Sequence, residues 1–146
     1  MERTKHERNV IIAMNCLIPL LTGAVLYYLL SPDVLFVRQI DSIIGNGMHF
    51  DCSAADCGVF QFIRCYIPDM LWSHALVFSL YAILGNSTAN LKRIFIMAFV
   101  FSVIMELLQL TPFAAGTFDW FDIVFEVLAE GFAVLIIKNI LRGCKK

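Results

Sequence analysis

Four long apolar runs alternate with shorter polar segments along the chain. They cover residues 10–30, 67–84, 94–110 and 119–141. Each is close to the ~20 residues that a helix needs to cross ~30 Å of hydrocarbon. The pattern therefore predicts an all-α membrane protein, with four transmembrane helices in a single membrane domain over residues 1–146.

The first run has an alternative interpretation, because three basic residues precede it as in a cleaved signal peptide. However, the run is longer than the apolar region of a signal peptide, and no small-residue cleavage site follows it. Pro19 lies within the run, and a membrane helix packed against others tolerates the kink that proline introduces. We therefore favour a transmembrane helix here.

The segment between the first two runs, residues 31–66, is rich in glycine and aspartate and is predicted to be a polar outer loop. Within it, residues 34–44 are amphipathic, since Val37, Ile40 and Ile44 repeat at helical spacing. This stretch is too short to span a bilayer. We expect an amphipathic helix that lies in the membrane interface.

Three of the five cysteines, Cys52, Cys57 and Cys65, fall in this predicted outer loop. Disulfides persist outside the cytoplasm, so Cys52–Cys57 and Cys52–Cys65 are both candidate pairs, with free thiols as the alternative. The spacing matches no standard zinc motif, and only His49 is near. No metal site and no cofactor are predicted.

The basic residues predict the orientation of the chain. Nine of the eleven Lys and Arg residues fall on one side of a four-span topology: Arg3, Lys5, Arg8, Lys92, Arg93, Lys138, Arg142, Lys145 and Lys146. Short loops rich in Lys and Arg stay in the cytoplasm. Both termini are therefore predicted to be cytoplasmic.

The composition agrees with a lipid environment. Hydrophobic residues make up 60% of the chain and the mean hydropathy is +0.78, whereas a soluble domain is about 45–50% apolar. One soluble core of this size could not bury so much apolar surface. The basic residues are few and lie at segment ends, which argues against nucleic-acid binding. Membrane lipids are the expected partners.

The acidic residues of the last run are the most informative polar feature. At 100° per residue, Asp119, Asp122, Glu126 and Glu130 fall on one helical stripe about 80° wide. A membrane-embedded carboxylate is costly unless it is paired, protonated or in contact with water. Four on one stripe therefore indicate an interior or ligand-facing surface.

Acidic groups of two other runs are predicted at a similar depth. Glu106 and Gln109 lie near the outer end of the third run, and Asp69 begins the second, with His74 deeper on the same helix. We expect these outer ends to form one acidic cleft. The predicted ligand-binding residues are Asp69, Glu106, Gln109, Asp119, Asp122 and Glu126. Glu130 and His74 are candidates for a proton or polar relay.

A structural interpretation of the same residues stays open. Asp119 and Asp122 suit the first turn of a helix, where the macrodipole favours negative charge. Glu126 and Glu130 could be protonated and hydrogen-bonded between helices. His74 in an apolar span is more often a packing residue than a ligand. The functional interpretation is an outward-facing cleft for a cationic or hydrogen-bonding ligand.

The C-terminal third resembles the VanZ-like family of small bacterial membrane proteins. The resemblance is carried by Glu-Leu-Leu-Gln at 106–109, by Gly-Thr-Phe-Asp at 116–119 and by Asp122. Three positions depart from the family pattern, where Arg, Asn and Gly are usual: Thr117, Glu126 and Ala129. The resemblance implies a plasma-membrane protein of the bacterial cell envelope, in a family associated with reduced sensitivity to a glycopeptide antibiotic.

Three functions fit these features. The favoured one is a non-enzymatic protein that binds a lipid head group, or a lipoglycopeptide of antibiotic type, at the acidic cleft. The second is a membrane enzyme acting on a lipid-linked envelope precursor, with two carboxylates as acid and base or as metal ligands. The third is a small transporter or accessory subunit, which would need a homo-oligomer or a partner, because four spans are few for a lone transporter.

Overall fold

A computed structural model of the protein describes five stretches of the chain: residues 5–30, 35–45, 58–84, 90–111 and 118–143. These residues form five helices and no strand: α1 Lys5–Leu30, α2 Leu35–Ile44, α3 Gly58–Leu84, α4 Leu91–Gln109 and α5 Trp120–Gly143. The all-α prediction is confirmed for this part of the chain, and each of the four apolar runs is helical over all or nearly all of its length.

Two of the helices are long and apolar enough to cross a membrane, over His6–Leu30 in α1 and Gln61–Leu84 in α3. Only 11% of the most apolar window of the first is buried, and 33% of that of the second. The core helix of a soluble protein would be mostly buried. In each helix, most residues of that window are not fully buried.

The start of α3 differs from the prediction. Residues 58–66, predicted to belong to the polar loop, are helical, so that Pro68 lies inside α3 rather than in its first turn. Tertiary packing explains the extension. The rings of Phe62 and Tyr66 lie 5.1 and 4.8 Å from that of Phe125 on α5, and these aromatic contacts stabilise the additional turns.

Helix α3 is central, because it packs extensively on α1, α4 and α5. It runs antiparallel to α1, as two contacts along their length show. The Cys16 thiol lies 3.0 Å from the Ser79 hydroxyl, and the rings of Tyr27 and Trp72 are 6.0 Å apart. Contacts between the two helices therefore join later positions of α1 to earlier positions of α3.

Helices α4 and α5 also pack on each other and run antiparallel. Ser102 contacts Glu130, and Glu106 contacts the backbone of Asp119. By contrast, α5 runs parallel to α3, since Tyr66 meets Asp119 and His74 meets Phe132. The long helices thus alternate in direction along the chain.

The amphipathic segment forms α2, as predicted for residues 34–44. Its Val37 side chain is fully buried. The Tyr28 hydroxyl of α1 donates a 2.8 Å hydrogen bond to the Asp41 carboxylate. These contacts attach α2 to the end of α1.

The bundle has two unlike ends. We call the end of the bundle where α4 begins and α5 finishes the basic end. We call the opposite end the acidic end. A cluster of buried apolar side chains fills the half nearer the basic end: Ile12, Val77, Phe78, Tyr81, Leu91, Ile94, Ala98, Ala133, Ile137, Ile140 and Leu141. The other half contains the acidic residues of α3, α4 and α5: Asp69, Glu106, Asp122, Glu126 and Glu130.

The outward faces of α4 and α5 are apolar although both helices carry buried acids. Every exposed residue in positions 96–110 is hydrophobic: Ile96, Met97, Phe99, Val100, Phe101, Ile104, Met105, Leu107, Leu108 and Leu110. The same is true of positions 120–135: Trp120, Phe121, Val124, Leu128, Phe132 and Leu135. Glu106 and Glu130, by contrast, are 4% and 0% exposed. In these two stretches the exposed side chains are apolar, whereas these two acidic side chains are buried.

Candidate functional site

A cavity of about 550 Å³ lies in the acidic half of the bundle and is partly open at the surface. Side chains of four helices line it: Leu20, Tyr27, Asp69, Trp72, Ser73, Ala75, Leu76, Ser79, Phe101, Ser102, Met105, Glu106, Gln109 and Glu126. Its volume is within the range of sites that hold small ligands. The cavity is therefore large enough for a molecular head group.

Three carboxylates from three helices meet at this cavity. Asp69 comes from α3, Glu106 from α4 and Glu126 from α5. None of the described residues that line the cavity is Lys, Arg or His. The wall therefore offers hydrogen-bond acceptors and negative charge, without a basic side chain to neutralise them.

Glu106 is held by two donors at the end of α4. Gln109 donates from Nε2 to Oε1 at 2.9 Å, and the backbone N–H of Asp119 approaches Oε2 at 3.4 Å. Gln109 can reach Glu106 because residues three apart lie on one helix face. Glu106 consequently joins the end of α4 to the start of α5 while it faces the cavity.

Asp119 acts as the N-cap of α5 and does not line the cavity. Its Oδ1 accepts a 3.0 Å hydrogen bond from the backbone N–H of Phe121, the usual arrangement for a capping aspartate. Its Oδ2 accepts from the Tyr66 hydroxyl at 3.2 Å. Both oxygens are engaged by the protein, which corresponds to the structural interpretation of this residue.

Asp122 also lies outside the cavity lining. Its Oδ1 atom is buried and has no hydrogen-bond partner among the described residues. The carboxylate is close enough to Glu106 and Asp69 to interact with them electrostatically. It places a further acidic group near the carboxyl groups of the cavity.

Glu126 and Glu130 lie one helical turn apart on α5, and Ser102 of α4 connects them. The Ser102 hydroxyl donates a 2.9 Å hydrogen bond to Oε1 of Glu130, and Ser102 lines the cavity together with Glu126. Oε2 of each glutamate is buried without a partner in the described structure. Glu126 faces the cavity, whereas Glu130 is enclosed beneath it.

His74 does not reach the cavity. Its half-buried ring packs 5.0 Å from Phe78 and 6.4 Å from Phe132, measured between ring centroids. The relay prediction requires His74 and Glu130 to lie on one path. In the structure, the His74 ring instead lies in an aromatic contact between α3 and α5.

Sequence reasoning missed the cavity residues Trp72 and Ser102. Trp72 lines the cavity, and its ring lies directly over Gly23. A Cβ atom at Gly23 would approach that ring to 2.5 Å. The signal for Ser102 was available, because positions 102, 106 and 109 share one face of α4.

Neither of the two cysteines that the structure describes, Cys16 and Cys65, lines the cavity. Cys65 is an exposed free thiol on α3, so it is unpaired in this structure. Its candidate partners Cys52 and Cys57 lie outside the described residues. Within the described stretches, no group of three or more His, Cys, Asp or Glu side chains is arranged to bind a metal ion.

Comparisons with protein-family models, with curated proteins and with solved structures found no match to this chain. The resemblance to the VanZ-like family therefore depends on the motif residues alone. Of these, Glu106, Gln109 and Asp119 form one connected hydrogen-bonded group.

Proposed function

We propose that the protein is a four-span plasma-membrane protein that binds the cationic head group of an amphiphile in its acidic cavity. The observation that carries the proposal is the meeting of Asp69, Glu106 and Glu126 at one cavity, with no basic residue in the part of its lining that the structure describes. Buried carboxylates are stabilised by a positive charge, which this site leaves for a ligand to supply.

The apolar outward faces of α4 and α5 support four spans. A count of charges along these helices includes Glu106 and Glu130, which are buried and would not meet lipid. Every exposed side chain at positions 96–110 and 120–135 is apolar, as contact with hydrocarbon requires. These helices are therefore suited to a membrane despite their acidic residues.

The alternating directions of α1, α3, α4 and α5 support the orientation with both termini on one side. That side is the basic end, where exposed Lys92, Arg93, Lys138 and Arg142 lie. The positive-inside rule assigns it to the cytoplasm. The acidic cavity then faces the outer half of the membrane.

The position of the cavity favours an amphiphile over a wholly soluble ligand. Leu20 of α1 and both Phe101 and Met105 of α4 line the cavity and are also exposed on the outer surface. Helices α1 and α4 are not among the extensively packed pairs. A hydrocarbon chain could therefore lie between them while its polar head enters the cavity.

The VanZ-like motif residues suggest the biological class of ligand. We propose a lipid-linked envelope precursor or a lipoglycopeptide, both of which combine an apolar chain with a polar head. A role in reduced sensitivity to a glycopeptide antibiotic follows as part of the same proposal. Glu106, Gln109 and Glu126 would contact the ligand, with Asp122 adding charge behind them.

Binding of a simple probe tests the charge requirement. Dodecylamine and dodecanol have chains of equal length and differ in charge. The protein has two tryptophans, so Trp120→Phe leaves Trp72, in the cavity wall, as the only one. In phosphatidylcholine nanodiscs, we expect dodecylamine to change Trp72 fluorescence saturably and dodecanol to bind much more weakly.

The matched variants are Glu126→Gln in the cavity and Glu7→Gln, an exposed acid at the basic end. A charge-assisted contact contributes about 1.5–3 kcal/mol, and about 1.4 kcal/mol is tenfold in affinity. We expect Glu126→Gln to raise Kd for dodecylamine about ten- to a hundredfold and Glu7→Gln to leave it unchanged. Equal binding of both probes, or equal affinity of both variants, would disprove the proposal.

A further inference from the structure

We infer that Glu126 and Glu130, bridged by Ser102, share one exchangeable proton, and that a cation entering the cavity displaces it. The shared proton follows from the arrangement of the three side chains alone. Its displacement rests on the proposed function, because it requires a cationic ligand in the cavity.

The first observation is the enclosure of Glu130. Its side chain is 0% exposed, and its only hydrogen bond within the described structure comes from Ser102, at 2.9 Å to Oε1. Oε2 has no partner there. A fully ionised carboxylate with one donor in such surroundings is strongly disfavoured.

The second observation is the neighbouring Glu126. It lies one turn away on the same helix face, and its own Oε2 is likewise buried and unpartnered. Neither glutamate forms an ion pair with a described residue. Two negative charges one helical turn apart repel each other strongly in a low dielectric. One proton is therefore retained between the two carboxylates.

None of the described residues around the pair offers a permanent positive charge to replace this proton. The titratable groups on the faces packed around the pair are acidic or neutral: Asp69 and His74 on α3, Glu106 on α4 and Asp122 on α5. The His74 ring lies against Phe78 and Phe132 rather than against either glutamate. The acids add to the repulsion.

Ser102 makes the proton transferable between the two glutamates. A hydroxyl can donate one hydrogen bond and accept another at the same time. Ser102 donates to Glu130 and lines the same cavity as Glu126, where its oxygen can accept a hydrogen bond from a protonated Glu126. Glu126 faces the cavity, so the proton reaches solvent through this side chain. One proton leaves the pair when one positively charged ligand enters the cavity.

Infrared difference spectroscopy of the ligand-free protein tests the shared proton. At neutral pH we expect a carboxylic-acid C=O band that shifts in D2O and is shifted or lost in both Glu126→Gln and Glu130→Gln, but not in Glu7→Gln. Absence of the band, insensitivity to D2O, or a response to only one of the two variants would overturn the shared exchangeable proton.

Titration calorimetry with dodecylamine, in buffers of different ionisation enthalpy, tests displacement. Linkage predicts release of about one proton per bound amine in the unchanged protein and clearly less in Glu130→Gln, whose cavity lining is intact. Amine binding without proton release would overturn displacement. No amine binding would remove displacement together with the proposed function, and the infrared result would still decide the shared proton.

Discussion

The Ser102 hydroxyl donates to Glu130 across the interface of α4 and α5, over a separation of 28 residues in the chain. Both side chains are buried. This bond satisfies one oxygen of a carboxylate that has no other donor in the described structure. The same bond therefore stabilises the packing of α4 on α5 and positions Glu130, which is enclosed beneath the cavity.

Removing this hydroxyl should destabilise the protein. Ser102→Ala leaves Glu130 without its donor, and interhelical hydrogen bonds of this kind contribute about 1–2 kcal/mol. We expect a loss of this size in the free energy of unfolding, measured by denaturant titration in detergent. Ser102→Thr, which keeps the hydroxyl, should lose less. Ser42→Ala, at an exposed position of α2, should change stability by under about 0.5 kcal/mol.

Gly23 provides the space in which Trp72 forms the cavity wall. Gly23→Ala would place a methyl group 2.5 Å from the indole ring, and overpacking of this kind costs about 1–3 kcal/mol. We expect lower stability and an altered Trp72 emission spectrum in the Trp120→Phe background.

Gly131→Ala is the matched control for that change, because nothing lies within 4 Å of a Cβ at position 131. Alanine has the higher helix propensity, so stability should stay the same or rise by up to about 1 kcal/mol. Equal effects of the two substitutions would contradict the close contact between Gly23 and Trp72.

The bond between Tyr28 and Asp41 should hold α2 against α1. Tyr28→Phe removes the hydroxyl that donates at 2.8 Å, a contact worth about 0.5–1.5 kcal/mol. We expect faster amide hydrogen exchange in α2 and unchanged exchange in α4. Tyr27→Phe is the control, and equal exchange rates in the two variants would show that this bond does not attach α2.

The four-span topology can be checked by labelling from outside the cell. In a chain with all native cysteines replaced by serine, Ser42→Cys and Lys92→Cys place single thiols at exposed positions in α2 and at the basic end. A membrane-impermeant maleimide should label the first in intact cells and the second only after permeabilisation. The reverse pattern, or equal labelling, would contradict the orientation.

Local patterns in the sequence were sufficient to predict the helices and part of the site. Apolar runs of suitable length predicted where α1, α4 and α5 lie, and the spacing of Val37 and Ile40 predicted α2. The period of 3.6 residues also placed Glu126 and Glu130 on one face of α5. Estimated depths along the helices predicted that Asp69 and Glu106 would lie at one level.

Contacts between distant segments decided the rest. The aromatic contact with Phe125 extends α3 back to residue 58, and Gly23 admits Trp72 to the cavity wall. The way the helices pack determines that Tyr66 meets Asp119 and that His74 meets aromatic rings. Helical periodicity relates residues three and four positions apart. The sequence by itself therefore determined which residues share a helix face and how far along its helix each one lies. Which faces meet depends on how side chains from separate helices fill the space between them, and only the tertiary structure decided that.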